Sequence, residues 1–201
     1  MVRRLVVALL NSVDWAPPSI DPRRWRAALA EDVVDLLALL VEAEPAIAAT
    51  PADRSLAESV AWPGTRIYEV PDGSVAGTLA AVTGDGYDQV AVIAADVPDL
   101  PGLVLGKLLR PLSSRPVAIA PAGPDRPGLL GIAVRLPAPA WLPTVDLDRA
   151  LPSQLRAAAP RPGQVAVTPG WRRLRTTADL GTLDPAVPGW ERTRALLAGT
   201  G

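Results

Sequence analysis

Two of the runs in this chain that are apolar at every position over the length of a strand constrain its fold most. They are Leu5–Leu10 (LVVALL) and the run from Val90 within Asp88–Ala95 (DQVAVIAA). Neither shows the polar alternation of a strand with one wet face. A strand buried on both faces belongs inside a sheet covered by helices on each side, as in parallel α/β sheets. The intervening segments supply such helices. Asp21-Pro22 opens the first, because Asp accepts free amides at a helix start and Pro suits the first helical position. Trp25, Leu29, Val33, Leu36 or Leu37, and Leu40 recur at helical spacing, which predicts a helix to about Ala43, with Pro45 beyond its end.

The alternation continues. Ala46–Ala49 reads as a short strand, Pro51–Ser59 as a helix capped by Thr50, and Thr65–Val70 as a strand. A helix follows Asp72-Gly73-Ser74 and ends near Gly84-Asp85-Gly86. After Asp88–Ala95 come a helix from about Pro101 to Leu109 and strands at Val117–Ala120 and Leu129–Leu136. This order predicts an α/β fold with a largely parallel sheet. The rest is Pro-rich, with helices near Ser153–Ala159, Thr177–Leu183 and Gly189–Ala198 and a strand at Gln164–Val167. No repeat and no linker divides the chain. One domain over 1–201 is expected, with 137–201 as an elaboration packed on it.

Composition narrows the chemistry. The 201 residues include no Cys, no His and no Phe. Disulfides, thiol nucleophiles, imidazole bases and His-containing metal sites are therefore excluded. Carboxylates, hydroxyls, Arg and backbone amides remain, with an oxygen-bound hard cation as the natural cofactor. There are 20 basic and 21 acidic residues, which gives no footprint for nucleic acid. The balance is uneven: residues 149–201 carry 8 basic and 3 acidic groups. That local excess suits either a phosphate or a solvated surface. No apolar run approaches the roughly 20 residues a membrane span needs. The opening Arg3-Arg4 and apolar run imitate a signal peptide, but the run is short and Asn11 and Asp14 follow without a cleavage site. A cytoplasmic protein is the expectation.

Asp96 is the leading candidate for chemistry. It stands at the carboxyl end of the second apolar run, the edge where open α/β sheets bind ligands. A carboxylate there can hold Mg²⁺ against a polyphosphate. Asp99 could add an oxygen. Both could equally cap the helix that follows.

At this point a resemblance emerges. Val90–Leu100 (VAVIAADVPDL) resembles the central motif of the GT-A-type nucleotide-diphospho-sugar transferase superfamily, an apolar strand ending in Asp and then x-Pro-x-Leu. Gly73–Val82 (GSVAGTLAAV), Ala120–Gly131 (APAGPDRPGLLG) and Thr176–Leu180 (TTADL) are similar to family segments in the same order, covering most of residues 65–185. The resemblance implies a Rossmann-like three-layer α/β/α fold with a mostly parallel sheet. It also implies a nucleotide or nucleotide sugar as ligand and Mg²⁺ or Mn²⁺ as cofactor. Asp96 would hold the metal with Asp99 in support. The loop with Asp125, Arg126 and Gly128 would lie near the acceptor, although a solvated turn reads as well there.

Two departures stand out. Family nucleotidyltransferases place a basic Gly-rich loop after the first strand; here Asn11–Pro18 (NSVDWAPP) has no glycine and no cation. Arg23, Arg24 and Arg26 could reach back from the next helix, or face solvent. The family's late second metal-binding Asp is matched by Arg175, in Arg172-Arg173-Leu174-Arg175. An Arg cannot ligate a cation but can bind phosphate directly, so Arg172, Arg173, Arg175 and Arg23 are the phosphate candidates. Asp146 and Asp148 form an Asp-x-Asp that fits helix capping before Arg149 as well as a metal motif. Trp15 and Trp62 could stack on a base or pack. Two functions follow: metal-dependent nucleotidyl or glycosyl transfer, or a non-catalytic relative that keeps the fold to bind a partner or ligand. A homo-oligomer is left open by the sequence.

Overall fold

The computed structural model describes residues 2–123 and 126–199. Its centre is a seven-stranded sheet of β1 (Arg4–Leu9), β2 (Glu44–Ala49), β3 (Arg66–Glu69), β4 (Gln89–Ala94), β5 (Val117–Pro121), β6 (Leu129–Arg135) and β7 (Val165–Val167). The order is β3-β2-β1-β4-β6-β5-β7. β1 pairs in parallel with β2 and β4, and β5 pairs in parallel with β7. β6 alone runs antiparallel, between β4 and β5. The seven residues from 122 to 128 join β5 to β6, too few for a crossover helix, so the pair closes as a hairpin.

Helices cover both faces. α1 (Pro22–Ala38), α2 (Arg54–Val60) and α4 (Gly102–Leu109) pack against Val6, Ala8, Ala91 and Ile93. α3 (Val75–Val82) and α5 (Pro152–Ala158) cover Leu5, Val7, Val90 and Val92. Alternate residues of β1 and β4 thus feed opposite cores, which is why both strands read as continuous apolar runs. The expected three-layer α/β/α arrangement with a mostly parallel sheet is what forms.

Local chemistry sets the helix starts. The Asp21 carboxylate accepts the Arg24 amide at 2.9 Å and Pro22 follows it. The Ser74 hydroxyl accepts the Gly77 amide at 2.9 Å. α1 stops at Ala38, before the expected Ala43, and β2 begins at Glu44 to pair with Leu5. Leu39 and Val41 are left in solvent, so sheet register overrides helical periodicity there. Pro45 lies inside β2. It is tolerated because β3 flanks β2 only from Ala46 onward.

Residues 137–199 add β7 to the sheet edge and end in α6 (Glu191–Ala198), which packs on α1. A buried carboxylate fixes that docking: Asp32 of α1 accepts the amides of Arg192 at 3.0 Å and Thr193 at 2.8 Å. Burial pushes the Asp32 carboxyl above its ordinary range. The segment expected as a helix over Thr177–Leu183 forms tighter 3₁₀ turns over Thr177–Thr182. No described helix is long and apolar enough to cross a membrane.

Candidate functional site

The sheet order reverses at β1, since β2 and β3 lie on one side and β4 on the other. Such a switch point opens a crevice at the carboxyl ends of the strands. Two adjoining clefts occupy this edge. The larger, about 440 Å³, is lined by Leu10, Asn11 and Ser12 after β1, Thr50 and Asp53 after β2, Asp72–Val75 at the start of α3, and Thr144–Asp148. The smaller, about 300 Å³, is lined by residues 12–15, Asp96, Asp148, Arg173, Leu174 and Arg175. Ser12 and Asp148 line both, so the two lie side by side.

Asp96 lies two residues past the end of β4, at its carboxyl edge as expected, and reaches the smaller cleft, but it is only 2% exposed. Its two oxygens accept Nε and Nη2 of Arg173 at 2.7 and 2.8 Å, a two-pronged pair. Arg173 is itself 2% exposed. Its Nη1 donates to the carbonyls of Leu147 at 2.9 Å and Leu129 at 3.3 Å. With the Asn11 carboxamide turned so that its oxygen faces Arg173, the remaining Nη2 hydrogen meets that oxygen at 2.8 Å and the amide nitrogen donates to the Leu9 carbonyl at 3.0 Å. All five guanidinium N–H groups thus have acceptors. Asp148 adds a carboxylate oxygen 2.8 Å from Nη2. Burial works against the Arg173 charge, but Asp96 and then Asp148 outweigh it and its pKa is raised.

Arg175, the position matched to a second metal ligand, does not meet Asp96 directly. It contacts the half-exposed Asp148 at 3.5 Å and donates to the carbonyls of Pro127, Leu147 and Asp148 at 3.1–3.3 Å. Its Nε is buried without a partner among the described residues. Burial, followed by repulsion from Arg173, lowers its pKa. Gly128 makes room for this side chain. Its φ is +100°, and a Cβ there would lie 2.7 Å from the Leu147 carbonyl oxygen and against the Arg175 guanidinium.

Asp99 neither faces a cleft nor caps α4, which starts after Pro101 without a side-chain cap. It is 1% exposed and accepts Trp171 Nε1 at 3.1 Å and the Arg172 guanidinium. Arg172 in turn lies over the Trp171 ring, 4.5 Å from its centroid. Arg126 pairs with Asp179, and Arg23 is exposed on the first turn of α1; neither lines either cleft. Asp125 lies outside the described residues.

Of the early arginines, Arg26 is the one that reaches back. It donates to the Leu10 and Asn11 carbonyls at 3.2 Å each and to Asp53 at 2.5 Å, bracing the loop after β1. Trp15 packs edge-on to Trp25 at 5.3 Å and donates to the Leu174 carbonyl, whereas Trp62 stays half-exposed and donates to Asp35.

A divalent ion of the kind the resemblance implies needs several oxygen ligands. All four carboxylate oxygens of Asp96 and Asp99 already accept N–H donors. No group of three or more acidic side chains among the described residues could hold a metal. The donor set does not fit Mg²⁺ or Mn²⁺.

Sequence reasoning missed two residues. Asp148 looked like a helix cap, yet Asp146 accepts the Asp148 amide at 2.8 Å and the Asp148 carboxylate turns to Arg173 and Arg175. Asp179 holds the arginine-bearing segment in place by accepting the Arg175 and Thr176 amides at 2.9 and 2.8 Å. The Thr-x-x-Asp spacing at Thr176 was the available signal.

No protein-family profile matches this chain, and no curated protein matches it in sequence. Solved structures do match. A candidate nucleotide-diphospho-sugar transferase from Desulfovibrio desulfuricans G20 superposes with a TM-score of 0.63 at 20% identity, over 100% of this chain and 96% of that one. The fold is that of the nucleotide-diphospho-sugar transferases. A 4-diphosphocytidyl-2C-methyl-D-erythritol synthase from Anaerococcus prevotii gives 0.62 at 11% identity, over 98% of this chain and 96% of that one. A CMP:2-keto-3-deoxy-manno-octonic acid synthetase, solved with CTP, gives 0.55 at 14% identity, over 100% and 99%. Cytidylyltransferases thus share the architecture of this chain.

Proposed function

We propose that this chain binds a nucleotide or nucleotide sugar across the two adjoining clefts. The observation that carries the reading is that the two clefts meet at Ser12 and Asp148, at the switch point of the sheet. The larger cleft falls within the size range of small-molecule sites. It offers the hydroxyls of Ser12, Thr50, Ser74 and Thr144, groups suited to the base and sugar. The smaller cleft holds the two guanidiniums, Arg173 and Arg175, and would take phosphate. Arg175 supports this: burial and Arg173 disfavour its charge, and the opposite charge of an anion beside it would offset that cost.

A second reading, a non-catalytic binding protein, is favoured by the pairing of Asp96 and Asp99 with arginines. Isothermal titration against CTP, UTP, GTP and their sugar conjugates tests the binding claim. A ligand that binds wild type and is lost in Ser12→Trp, which fills the junction of the clefts, is the expected result. Absence of binding by all of them would overturn the proposal. Release of pyrophosphate or nucleotide on adding phospho-sugar or sugar acceptors separates transfer from binding alone.

A further inference from the structure

We infer that the Arg173 guanidinium is the resident cation of this site, so that ligand binding here requires no divalent metal. The ligand half of this inference rests on the nucleotide reading above.

Three observations carry it. First, position: Arg173 is gripped by Asn11 after β1, Asp96 after β4, the Leu129 carbonyl at the start of β6, and Leu147 with Asp148. Its positive charge therefore sits where the strand ends converge, against the carboxylate that the resemblance assigns to the metal. Second, saturation: all five donors are met, so the side chain is locked rather than poised to swing away. A metal would have to displace a two-pronged pair to reach either Asp96 oxygen and would meet a like charge within a few ångströms. Third, succession: Arg175 lies next to Arg173 on the same cleft with a buried, unpartnered Nε. A phosphate in that cleft can pair with the Arg175 charge without a bridging ion.

The test begins with the wild-type protein and manganese alone. Mn²⁺ titration followed by electron paramagnetic resonance should show no stoichiometric site at concentrations below about 1 mM, a weak limit on the affinity scale. A stoichiometric site that disappears in Asp96→Asn would overturn the inference. The second arm measures CTP and UDP-glucose affinity in excess EDTA and in Mg²⁺. Equal affinities, within about twofold, support the resident cation; a gain of about tenfold or more with Mg²⁺ overturns it. Arg173→Gln, checked for folding by its melting transition, should bind these ligands at least about tenfold more weakly in EDTA. Arg173→Lys keeps the charge and should recover part of that loss. If neither ligand binds in any condition, the nucleotide reading fails and the manganese titration alone decides the cation.

Discussion

Asp96 and Arg173 face each other through two parallel hydrogen bonds of 2.7 and 2.8 Å, both side chains sealed from solvent and 77 residues apart in sequence. The pair ties the end of the central strand to the late Arg-rich segment. Removing one partner of a buried ion pair leaves an uncompensated charge, which costs about 3–5 kcal/mol. Arg173→Met should therefore lower unfolding free energy by about that amount in urea titration. Asp96→Asn combined with Arg173→Met should cost less than the two single changes together. Strict additivity would mean that the two side chains do not act as a pair.

Gly128 gives a second prediction. Its left-handed φ of +100° and its closeness to the Leu147 carbonyl and Arg175 leave no space for a methyl group. Gly128→Ala should destabilise by more than about 1 kcal/mol, because strain adds to the clash. It should also weaken any anion bound near Arg175. An unchanged melting temperature would contradict the packing described.

Asp179 makes the acid limb of stability predictable. Burial raises its pKa, but the Arg175 and Thr176 amides, the Thr176 hydroxyl and Arg126 outweigh it and the net shift is downward. A folded-state pKa below the unfolded value means that the stabilisation is full above about pH 4 and is lost as pH falls through the folded pKa. Asp179→Asn should flatten the decline of stability on acidification below about pH 4. A profile of wild-type steepness in the variant would show that other carboxylates set the acid limb.

The docking of α6 can be examined separately. Asp32→Ala removes both acceptors from the Arg192 and Thr193 amides, at about 1–3 kcal/mol for groups left buried and unsatisfied. Hydrogen exchange should then accelerate in residues 191–198 more than in β1 or β4. Uniform acceleration across the sheet would instead make α6 part of a single cooperative unit.

Much of the fold was legible because its signals are local. The unbroken apolar runs of β1 and β4 announce burial on two faces. Asp21-Pro22 and Ser74 mark helix starts through short-range chemistry. The end of α1 was not legible, since nothing between Leu39 and Ala43 opposes a helix until β2 must register with β1. The site was half legible. Asp96 could be placed at the strand end from sequence, but its partner depended on where a Pro-rich segment folds back. The spacing of Arg172, Arg173 and Arg175 does not say which side chain turns inward. Asp148 and Asp179 were obscure for the same reason: their partners are side chains or amides brought by the late arginine segment.

The bond from Asp32 to the start of α6 also bears on how the molecule is made. The carboxylate emerges from the ribosome 160 residues ahead of the Arg192 amide that answers it. During synthesis, the face of α1 that carries Asp32 must wait in water or under temporary cover. That wait keeps the carboxylate hydrated until its partners arrive, so this corner of the structure is set among the last.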